Sequence, residues 1–364
     1  MDFTLACDIM MDLNGSIRPA MYLADSLVAS GHNVSMISPM ISGNVERHLS
    51  FRGIQPVNLH ARLFTRRLGL SLLWFETWSR EAFLRLNSRH VNRDCRATIN
   101  FSHTLAMPSM FWYLQGPTSA ALRDMENELA PTYKSVYLAL KGAIDYTDGR
   151  LAKDIGNGST VAVANSKFCA SLYREWGIEA AEILYPPTDC KLFQPQTSNP
   201  SGDFVLTYFG KETKFSVIKA VADLGVKVKA FGSKAPFVPK SVTGHPNIDF
   251  RGRIPVGELV DLYSNASFVL FPFTHEPFGY IPVESMACGT PTLTYDVQGP
   301  SESVVDGYSG WLARDDEQMI SKAVKLWKQG YELKVRANCV KEAAKFDKDV
   351  YAKRWSEILQ KSMH

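Results

Sequence analysis

Residues 267–291 read SFVLFPFTHEPFGYIPVESMACGTP and decide the fold of the second half of the chain. The aromatic and β-branched run SFVLFPF predicts a buried strand, and THEPFG predicts the loop at its carboxyl end. Pro282 suits the first turn of a helix, and the following glycine and proline end that helix after about two turns. We therefore expect a strand, a loop containing Glu276, and a short helix with Glu284 in its first turn.

The same order of elements recurs on both sides of this stretch. Near the N-terminus, FTLACDI predicts a strand, a loop with Gly15 follows, and a helical pattern ends at Gly31 before the strand NVSMIS. A second series begins near residue 204 with DFVLTYFG, FSVIKAVADLG and VKVKAFG. Strands alternating with helices predict parallel sheets, so the fold class is α/β.

Length and one break in the pattern predict two domains. A chain of 364 residues exceeds what one ordinary core accommodates. Residues 197–202 are rich in Ser, Asn, Pro and Gly, which is typical of a linker. We expect a first domain at 1–188, completed by a C-terminal helix at 346–364, and a second domain at 189–345.

Composition argues against several classes of protein. The net charge of +3 gives no sign of a nucleic-acid binder. The six cysteines form no CxxC pair or zinc-ligand spacing, so we expect reduced thiols and no metal. Neither GxGxxG nor GxxxxGK[ST] occurs. The N-terminus MDFTLACDIM lacks the basic start of a signal peptide, and no apolar window is long enough to cross a membrane, so we expect a cytoplasmic protein.

The stretch EPFGYIPVESMACGTP resembles the E-x7-E signature of the family 4 retaining glycosyltransferases. AVANSKF, LYPPTD and GPSESVVDGYSGWL are similar to further landmarks of that family, in the same order. The resemblance implies a GT-B fold, in which two Rossmann-like domains face each other across a donor cleft. It implies a metal-independent enzyme, without a cofactor, that moves a sugar from a nucleotide-diphosphate sugar to an acceptor hydroxyl with retention. A glycan, a lipid-linked molecule and a small molecule stay open as acceptors.

The resemblance gives the two glutamates different roles. It implies that Glu284 binds the ribose hydroxyls of the donor and that Glu276 contacts the donor sugar, and neither role needs a shifted pKa. The backbone of Phe278, Gly279 and Tyr280 would meet the sugar or the distal phosphate, because open amides at a helix start bind anions. From the residues alone, an acid favoured by the helix dipole and a solvated loop acid stay open as alternatives.

The resemblance places the cationic groups after the strand DFVLTYFG. Gly210 is followed by Lys211 and then Lys214, where the family has an arginine and a lysine on a longer loop. Lysine supplies the charge that a departing diphosphate requires but not the planar fork of arginine. Two solvated loop lysines are the alternative interpretation.

Other positions match the family less closely. Arg253 follows NIDFRG, where the family's backbone meets the base, and Gly15 would let the backbone approach the phosphates. Gln115 occupies the position of a family histidine, and His103 is the nearest histidine, so both are acceptor-side candidates. A solvent-facing arginine, a plain turn and a structural histidine stay open. The DxD at residues 347–349 opens a charged helix rather than ending a strand, so it implies no metal.

Residues 61–96 form a basic segment with eight arginines, three acids and a net charge of +5. Its arginines adjoin the apolar run LGLSLLWF, and Trp78 follows. Basic residues beside exposed aromatic side chains suit an anionic membrane surface, which would place the protein peripherally on the cytoplasmic face of a membrane. A core helix with a solvated basic face is the alternative.

Two function classes remain after these observations. The first is a retaining glycosyltransferase, and the second is a catalytically weak paralogue that binds nucleotide sugars, for which Lys211 and Gln115 are the evidence. A nucleotide-sugar epimerase of the same fold agrees poorly with the signature. The donor's sugar and base are not determined by the residues.

Overall fold

The computed structural model of this chain describes residues 1–13, 15–65, 70–88, 97–129, 131–198, 200–232 and 238–363. Side chains are described for all of these except residues 70–72, 131, 132 and 363.

The chain divides into two compact units. The N-terminal unit comprises residues 1–120, 136–187 and 351–364, and the second unit comprises residues 121–135 and 188–350. The predicted boundary left residues 121–135 in the first domain, whereas the contacts group them with the second unit.

The N-terminal unit contains a seven-stranded sheet. Its strands are β1 (Asp2–Ala6), β2 (Asn33–Ser38), β3 (Ile54–Asn58), β4 (Thr98–Asn100), β5 (Ser109–Leu114), β6 (Ser159–Ala164) and β7 (Glu182–Ile183). The order across the sheet is β3-β2-β1-β4-β5-β6-β7, and all neighbouring pairs are parallel.

The second unit contains a six-stranded sheet that is also parallel throughout. Its strands are β8 (Val205–Tyr208), β9 (Val228–Phe231), β10 (Ile248–Phe250), β11 (Val269–Phe271), β12 (Thr292–Tyr295) and β13 (Gly310–Ala313). The order is β10-β9-β8-β11-β12-β13. Strands such as β12 and the apolar β11 are buried throughout, as expected for a parallel sheet with both faces covered.

Helices connect the strands in both units. In chain order they are α1 (Arg18–Ala29), α2 (Gly43–Phe51), α3 (Leu70–Leu84), α4 (Thr118–Asp124), α5 (Pro131–Asn157), α6 (Lys167–Arg174), α7 (Phe215–Asp223), α8 (Lys240–Thr243), α9 (Val256–Asn265), α10 (Tyr280–Ala287), α11 (Pro300–Ser303), α12 (Asp316–Gln329), α13 (Lys334–Ala343) and α14 (Lys348–Met363). Gly31 follows α1 with φ of 82°, which confirms the predicted helix end.

The last helix contributes to the core of the N-terminal unit. Trp355 is fully buried, and its ring lies 5.6 Å from that of Phe111 and 6.2 Å from that of Tyr113. Removing a buried aromatic side chain of this size costs about 3–5 kcal/mol. Helix α14 is therefore required for the stability of a sheet that begins at residue 2.

In each sheet the chain changes direction beside the unit's first strand. The path β1, β2, β3 runs to one side, and β4 then returns to the other side of β1. In the second sheet β8, β9 and β10 run to one side, and β11 returns beside β8. Ligands of open α/β sheets bind beyond the carboxyl ends of strands at such points. The loops after β1 and β4, and after β8 and β11, are therefore the places where a site is expected.

Candidate functional site

The loop after β11 brings Glu276 to the start of α10. Its carboxylate Oε1 accepts the backbone N–H of Gly279 at 3.1 Å and that of Phe278 at 3.5 Å. Gly279 has φ of 92°, and a Cβ there would lie 3.0 Å from the ring of Pro300, so a glycine is required. We had expected open amides at this turn, but Glu276 of the same chain engages them.

Burial and a like charge act on Glu276. Burial, assisted by the nearby carboxylate of Glu212, raises the pKa of Glu276 to about 7, although Lys211 and the two amide hydrogen bonds oppose this. The role implied for Glu276 needs no shifted pKa, but the turn partly buries this carboxyl and the charge of a second acid acts on it. A group that titrates near neutral pH can hold or release a proton under ordinary conditions.

Two side chains that sequence reasoning missed fix the same loop. Gln298 Oε1 accepts the N–H of Glu276 at 2.7 Å, while its Nε2 donates to the carbonyl of Thr274 at 3.2 Å. Asp124 Oδ2 lies 2.8 Å from Nδ1 of the buried His275 and accepts from Gln298 at 3.2 Å. Gln298 has φ of 60°, which is uncommon for a residue with a side chain. Asp124, His275 and Gln298 therefore form a brace that fixes the loop from Thr274 to Glu276.

Glu284 lies in the second turn of α10, not in the first. The helix begins at Tyr280, because the turn at Gly279 starts it two residues before Pro282, and its first turn contains no acid. Glu284 is buried, and its carboxylate accepts the hydroxyl of Tyr263 at 3.3 Å. The favourable first-turn dipole interaction expected for this acid therefore does not apply.

The two lysines after β8 are both paired. Lys211 is exposed and lies 3.1 Å from Glu212, whose carboxylate raises the pKa of Lys211. Lys214 Nζ lies 2.9 Å from Asp316 and 4.7 Å from the centre of the Tyr295 ring. The loops of Lys211 and Glu276 lie side by side, since the N–H of Thr274 donates to the carbonyl of Glu212 at 2.8 Å.

An open groove of about 650 Å³ lies beyond the carboxyl ends of β11, β12 and β13. Lys214, Tyr295 and Asp316 line it, together with Gln298 and Asp124. Neither Glu276 nor Glu284 lines this groove, so the cavity is adjacent to the signature acids rather than formed by them.

The remaining second-unit candidates lie at the same edge of the sheet. Gly210 is buried, and its N–H donates to the Thr213 hydroxyl at 2.9 Å. A Cβ at Gly210 would lie 2.4 Å from the ring of Tyr208, so the loop requires a small residue here. Arg253 is exposed in the loop after β10, while Tyr280 is half-buried at the first position of α10.

The N-terminal candidates lie beside β1 and β4. Gly15 is half-buried in the turn before α1. His103 is buried, with Nε2 2.7 Å from Asp148 and Nδ1 3.3 Å from the Tyr173 hydroxyl. Gln115 donates from Nε2 to the carbonyl of Phe101 at 2.7 Å. His103 and Gln115 both line a cavity of about 170 Å³.

The buried pair of His103 and Asp148 is stabilised from several sides. Trp78 Nε1 and the N–H of Ser119 donate to the two oxygens of Asp148, at 2.9 and 2.8 Å. Burial opposes charge on both groups, but the Asp148 carboxylate outweighs it and raises the pKa of His103. In return His103 lowers the pKa of Asp148. The sequence offered no signal for this pair, because 45 positions separate its members.

Only part of the basic segment at 61–96 is described, since residues 66–69 and 89–96 lie outside the described ranges. Trp78, expected to be exposed, is buried against Asp148, so it is not a surface aromatic residue. Phe64, Phe75 and Phe83 are exposed. Among the described residues, no helix combines the length and apolar composition that crossing a membrane requires.

The residues at 347–349 begin α14, as the sequence predicts, with Asp347 preceding the helix and Asp349 in its first turn. Within the described ranges, no group of three His, Cys, Asp or Glu side chains is arranged as a metal site.

Comparison with known proteins defines the class of this chain by its fold, which is that of the GT-B glycosyltransferases. Sucrose-phosphate synthase from Thermosynechococcus elongatus superposes with a TM-score of 0.71 at 16% identity, covering 99% of this chain and 98% of that one. WaaG, a glycosyltransferase of lipopolysaccharide biosynthesis, gives 0.69 at 16% identity with 99% of both chains covered. Anabaena HepE, solved with UDP and glucose, gives 0.69 at 16% identity with 99% and 100% covered.

The sequence comparisons concern the second unit most directly. Residues 241–346 match the family described as "Glycosyl transferases group 1". The chain is similar to "Uncharacterized glycosyltransferase MJ1178" of Methanocaldococcus jannaschii, 29% identical over 36% of this chain and 39% of the relative. It is also similar to a "D-inositol 3-phosphate glycosyltransferase" of Frankia alni, 29% identical over 46% and 36% of the two chains. These matches span less than half the length of either relative.

Proposed function

We propose that this protein is a retaining glycosyltransferase of family 4 that transfers a sugar from a nucleotide-diphosphate sugar to an acceptor hydroxyl. The observation that carries the proposal is that the loops of Lys211 and Glu276, after β8 and β11, lie side by side where the second sheet changes direction, joined by the N–H of Thr274 donating to the carbonyl of Glu212 at 2.8 Å. The group 1 match over 241–346 and the GT-B fold support glycosyl transfer. The E-x7-E resemblance supports retention and family 4.

Donor binding assigns a separate role to each acid. Glu284 accepts from the ribose hydroxyls and Glu276 contacts the donor sugar, while the 278–280 backbone meets the sugar or the distal phosphate. In the structure the amides of Phe278 and Gly279 already bind Glu276. Binding through those amides therefore requires the Glu276 carboxylate to turn towards the sugar. The solved complexes of HepE with UDP and with UDP-glucose support a nucleotide sugar as the ligand class.

Transfer breaks the bond between the anomeric carbon and the diphosphate oxygen, and the acceptor oxygen forms the new bond on the same face. The departing diphosphate takes the proton of the acceptor hydroxyl. Lys211 and Lys214 stabilise its developing charge electrostatically, and Gly210, Gly15 and the Arg253 loop approach the nucleotide. No cofactor or metal is assigned a step.

The acceptor is a glycan, a lipid-linked molecule or a small molecule. A peripheral position on an anionic membrane surface fits the exposed Phe64, Phe75 and Phe83 near the arginines of the 61–96 segment. Such a position would give the enzyme access to lipid-linked acceptors.

A nucleotide-sugar-binding paralogue with weak activity is the second candidate. It is favoured by the pairing of both lysines, Lys211 with Glu212 and Lys214 with Asp316, because neither charge is then available without rearrangement. Its binding chemistry is the same, but transfer would be slow.

A panel of UDP-, GDP- and ADP-sugars tests the proposal. We expect one donor series to raise the melting temperature of the protein, and that donor to release its nucleotide diphosphate when acceptors are added. Binding without release, across donors and acceptors, would favour the weak paralogue. The absence of any thermal shift with all three series would contradict both candidates.

A further inference from the structure

The cavity of about 170 Å³ in the N-terminal unit lies where the first sheet changes direction, beyond β1 and β4. Asp8 follows β1, and His103 follows β4. The volume corresponds to about six water molecules at about 30 Å³ each, which suits one small ring. A position at the reversal point of a parallel sheet is where such folds bind ligands.

The aromatic walls of this cavity use their polar atoms inside the protein. Trp112 Nε1 donates to the carbonyl of Ser102 at 3.2 Å, and the Tyr113 hydroxyl donates to the carbonyl of Leu184 at 2.7 Å. These rings therefore offer the cavity mainly carbon surface. Flat carbon surfaces pack against the apolar face of a small ring.

The histidine of the cavity is also engaged inside the protein. Both ring nitrogens of His103 have partners, Asp148 at 2.7 Å and the Tyr173 hydroxyl at 3.3 Å. The carboxylate of the fully buried Asp148 balances any positive charge on this ring. His103 is thus a positioning residue for the wall and supplies no net positive charge to a ligand.

Asp8 is the charged residue of the cavity lining that is placed to contact a ligand. Its Oδ1 accepts from the Thr104 hydroxyl at 2.6 Å, from the Ser102 hydroxyl at 2.5 Å, and from the N–H groups of Thr104 and His103 at 3.0 and 3.1 Å. All four bonds engage Oδ1, so within the described part of the chain Oδ2 is left to accept from a ligand. Asp8 is half-buried and lines the cavity. Gln115 lines the cavity as well, and its Nε2 is already engaged by a carbonyl of the protein.

We propose that this cavity binds an uncharged hydroxylated ring of the acceptor, a sugar or polyol, and that Asp8 determines this specificity by accepting a ring hydroxyl and repelling phosphate or carboxylate groups. Only the identification of this ring as part of the acceptor rests on the proposed function. A half-buried carboxylate with one oxygen facing a cavity favours hydroxyl donors and disfavours anions, since anionic ligands would bring like charges together.

Saturation-transfer NMR on the full chain tests this with methyl α-glucopyranoside, methyl α-mannopyranoside, methyl α-galactopyranoside and myo-inositol, each beside its monophosphate. We expect one neutral compound to bind and its phosphate to bind at least about tenfold more weakly. Asp8→Asn keeps an oxygen for the four internal bonds and replaces Oδ2 with a donor. This variant should weaken binding of the neutral compound about tenfold or more. It should also reduce the ratio between the affinities for the neutral compound and for its phosphate. Asp2→Asn, at the other end of β1 and exposed, should change neither.

A thermal shift with the nucleotide-sugar panel is run on the same samples. Three results would each overturn the proposed subsite, even if a nucleotide sugar raises the melting temperature. They are equal or tighter binding of the phosphates by the wild type, unchanged affinity of Asp8→Asn for the neutral compound, and failure of every neutral compound to bind. Selective binding of a neutral compound, without a thermal shift from any nucleotide sugar, would support the subsite. It would contradict only the proposed transfer function.

Discussion

Lys214 and Asp316 form an ion pair of 2.9 Å, and the same carboxylate also accepts the hydroxyl of Tyr295. Although burial opposes it, these two partners lower the pKa of Asp316. Lys214 must leave this pair to neutralise a donor diphosphate. We therefore expect Asp316→Asn to bind UDP more tightly, up to about fivefold, because a partly exposed ion pair is worth at most about 1 kcal/mol.

Titration calorimetry with UDP measures this effect, and Asp315→Asn is its matched control. Asp315 caps α12 by accepting the N–H of Gln318 at 2.8 Å, and asparagine also caps helices well. Both variants remove one negative charge from the same turn, but only Asp316 touches Lys214. Equal gains in the two variants would mean that Lys214 is not the diphosphate ligand.

Glu284 gives a prediction about the ribose. We expect Glu284→Gln to weaken UDP binding about tenfold or more, because hydrogen bonds to a charged group are worth about 1.5–3 kcal/mol. The same variant should have no further effect on 2′,3′-dideoxy-UDP, which lacks the hydroxyls. Calorimetry of both ligands with both proteins forms a double-mutant cycle that isolates the contact.

Tyr263→Phe is the control for the Glu284 experiment. It removes the hydroxyl that donates to Glu284 at 3.3 Å but leaves the carboxylate in place. If Glu284→Gln weakened UDP and dideoxy-UDP equally, the carboxylate would support the fold of α10 rather than the ribose.

Glu276 gives a prediction about pH. Its pKa is about 7 in the folded protein, above an ordinary value of 4.5. The folded state therefore carries no penalty from this group below about pH 4.5, and an increasing one as pH rises through about 7. Glu276→Gln should be more stable than the wild type at about pH 8 and equal at about pH 4. The difference has an upper bound of about 3 kcal/mol, and partial solvation of the side chain reduces it.

Urea unfolding at a series of pH values measures this difference. Glutamine retains an oxygen for the N–H of Gly279, so the turn itself is preserved. Glu212→Gln should lower the pH at which the difference levels off and make the difference smaller, because the Glu212 charge adds to burial in raising the pKa of Glu276. A pH-independent gain in Glu276→Gln would show that its carboxyl titrates normally.

Local patterns predicted much of this fold. Apolar runs indicated the buried strands β8 and β11, and Gly31 ended α1 where a left-handed residue is required. The predicted position of Glu284 in the first turn of α10 was wrong, because a proline in the first turn is compatible with several starting residues. Only the folded turn at Gly279, with Glu276 across its amides, fixes the helix at Tyr280.

Contacts between distant parts of the chain could not be predicted in this way. His275 and Asp124 are separated by 151 positions, and His103 and Asp148 by 45. Neither pair follows a helical or strand period, so a sequence without homologues contains no sign of them. Trp78 was taken for a surface residue because its partner Asp148 was invisible for the same reason.

The exposed phenylalanines give a prediction about membranes. We expect the wild type to pellet with anionic phosphatidylglycerol vesicles at low salt and to be released at high salt. Phe64 and Phe83 are strongly exposed, so replacing both with serine should reduce pelleting several-fold without unfolding the chain. Phe51→Ser removes an equally exposed phenylalanine on α2 and serves as the control. Failure of the wild type to bind anionic vesicles at low salt would exclude this surface.

Gln298 gives a prediction that separates positioning from binding. Its amide accepts the N–H of Glu276 and donates to Asp124 and to the carbonyl of Thr274, so it fixes the loop from three directions. Misplacement of a reacting group by about 1 Å can cost about a hundredfold in rate. We expect Gln298→Ala to lower the rate of acceptor-dependent UDP release about tenfold or more, while the affinity for UDP changes less than about threefold.

Two further variants decide what the Gln298 side chain contributes. Val297→Ala, at the exposed preceding position, should retain full activity. Gln298→Gly suits the backbone φ of 60° better than alanine, so it separates lost hydrogen bonds from backbone strain. If glycine restored the rate that alanine lost, strain rather than the amide would hold the loop. We expect Gln298→Ala and Gln298→Gly to lose equal amounts of rate while their affinity for UDP stays unchanged. The reason is that the brace positions Glu276, which contacts the sugar, and does not contact the nucleotide.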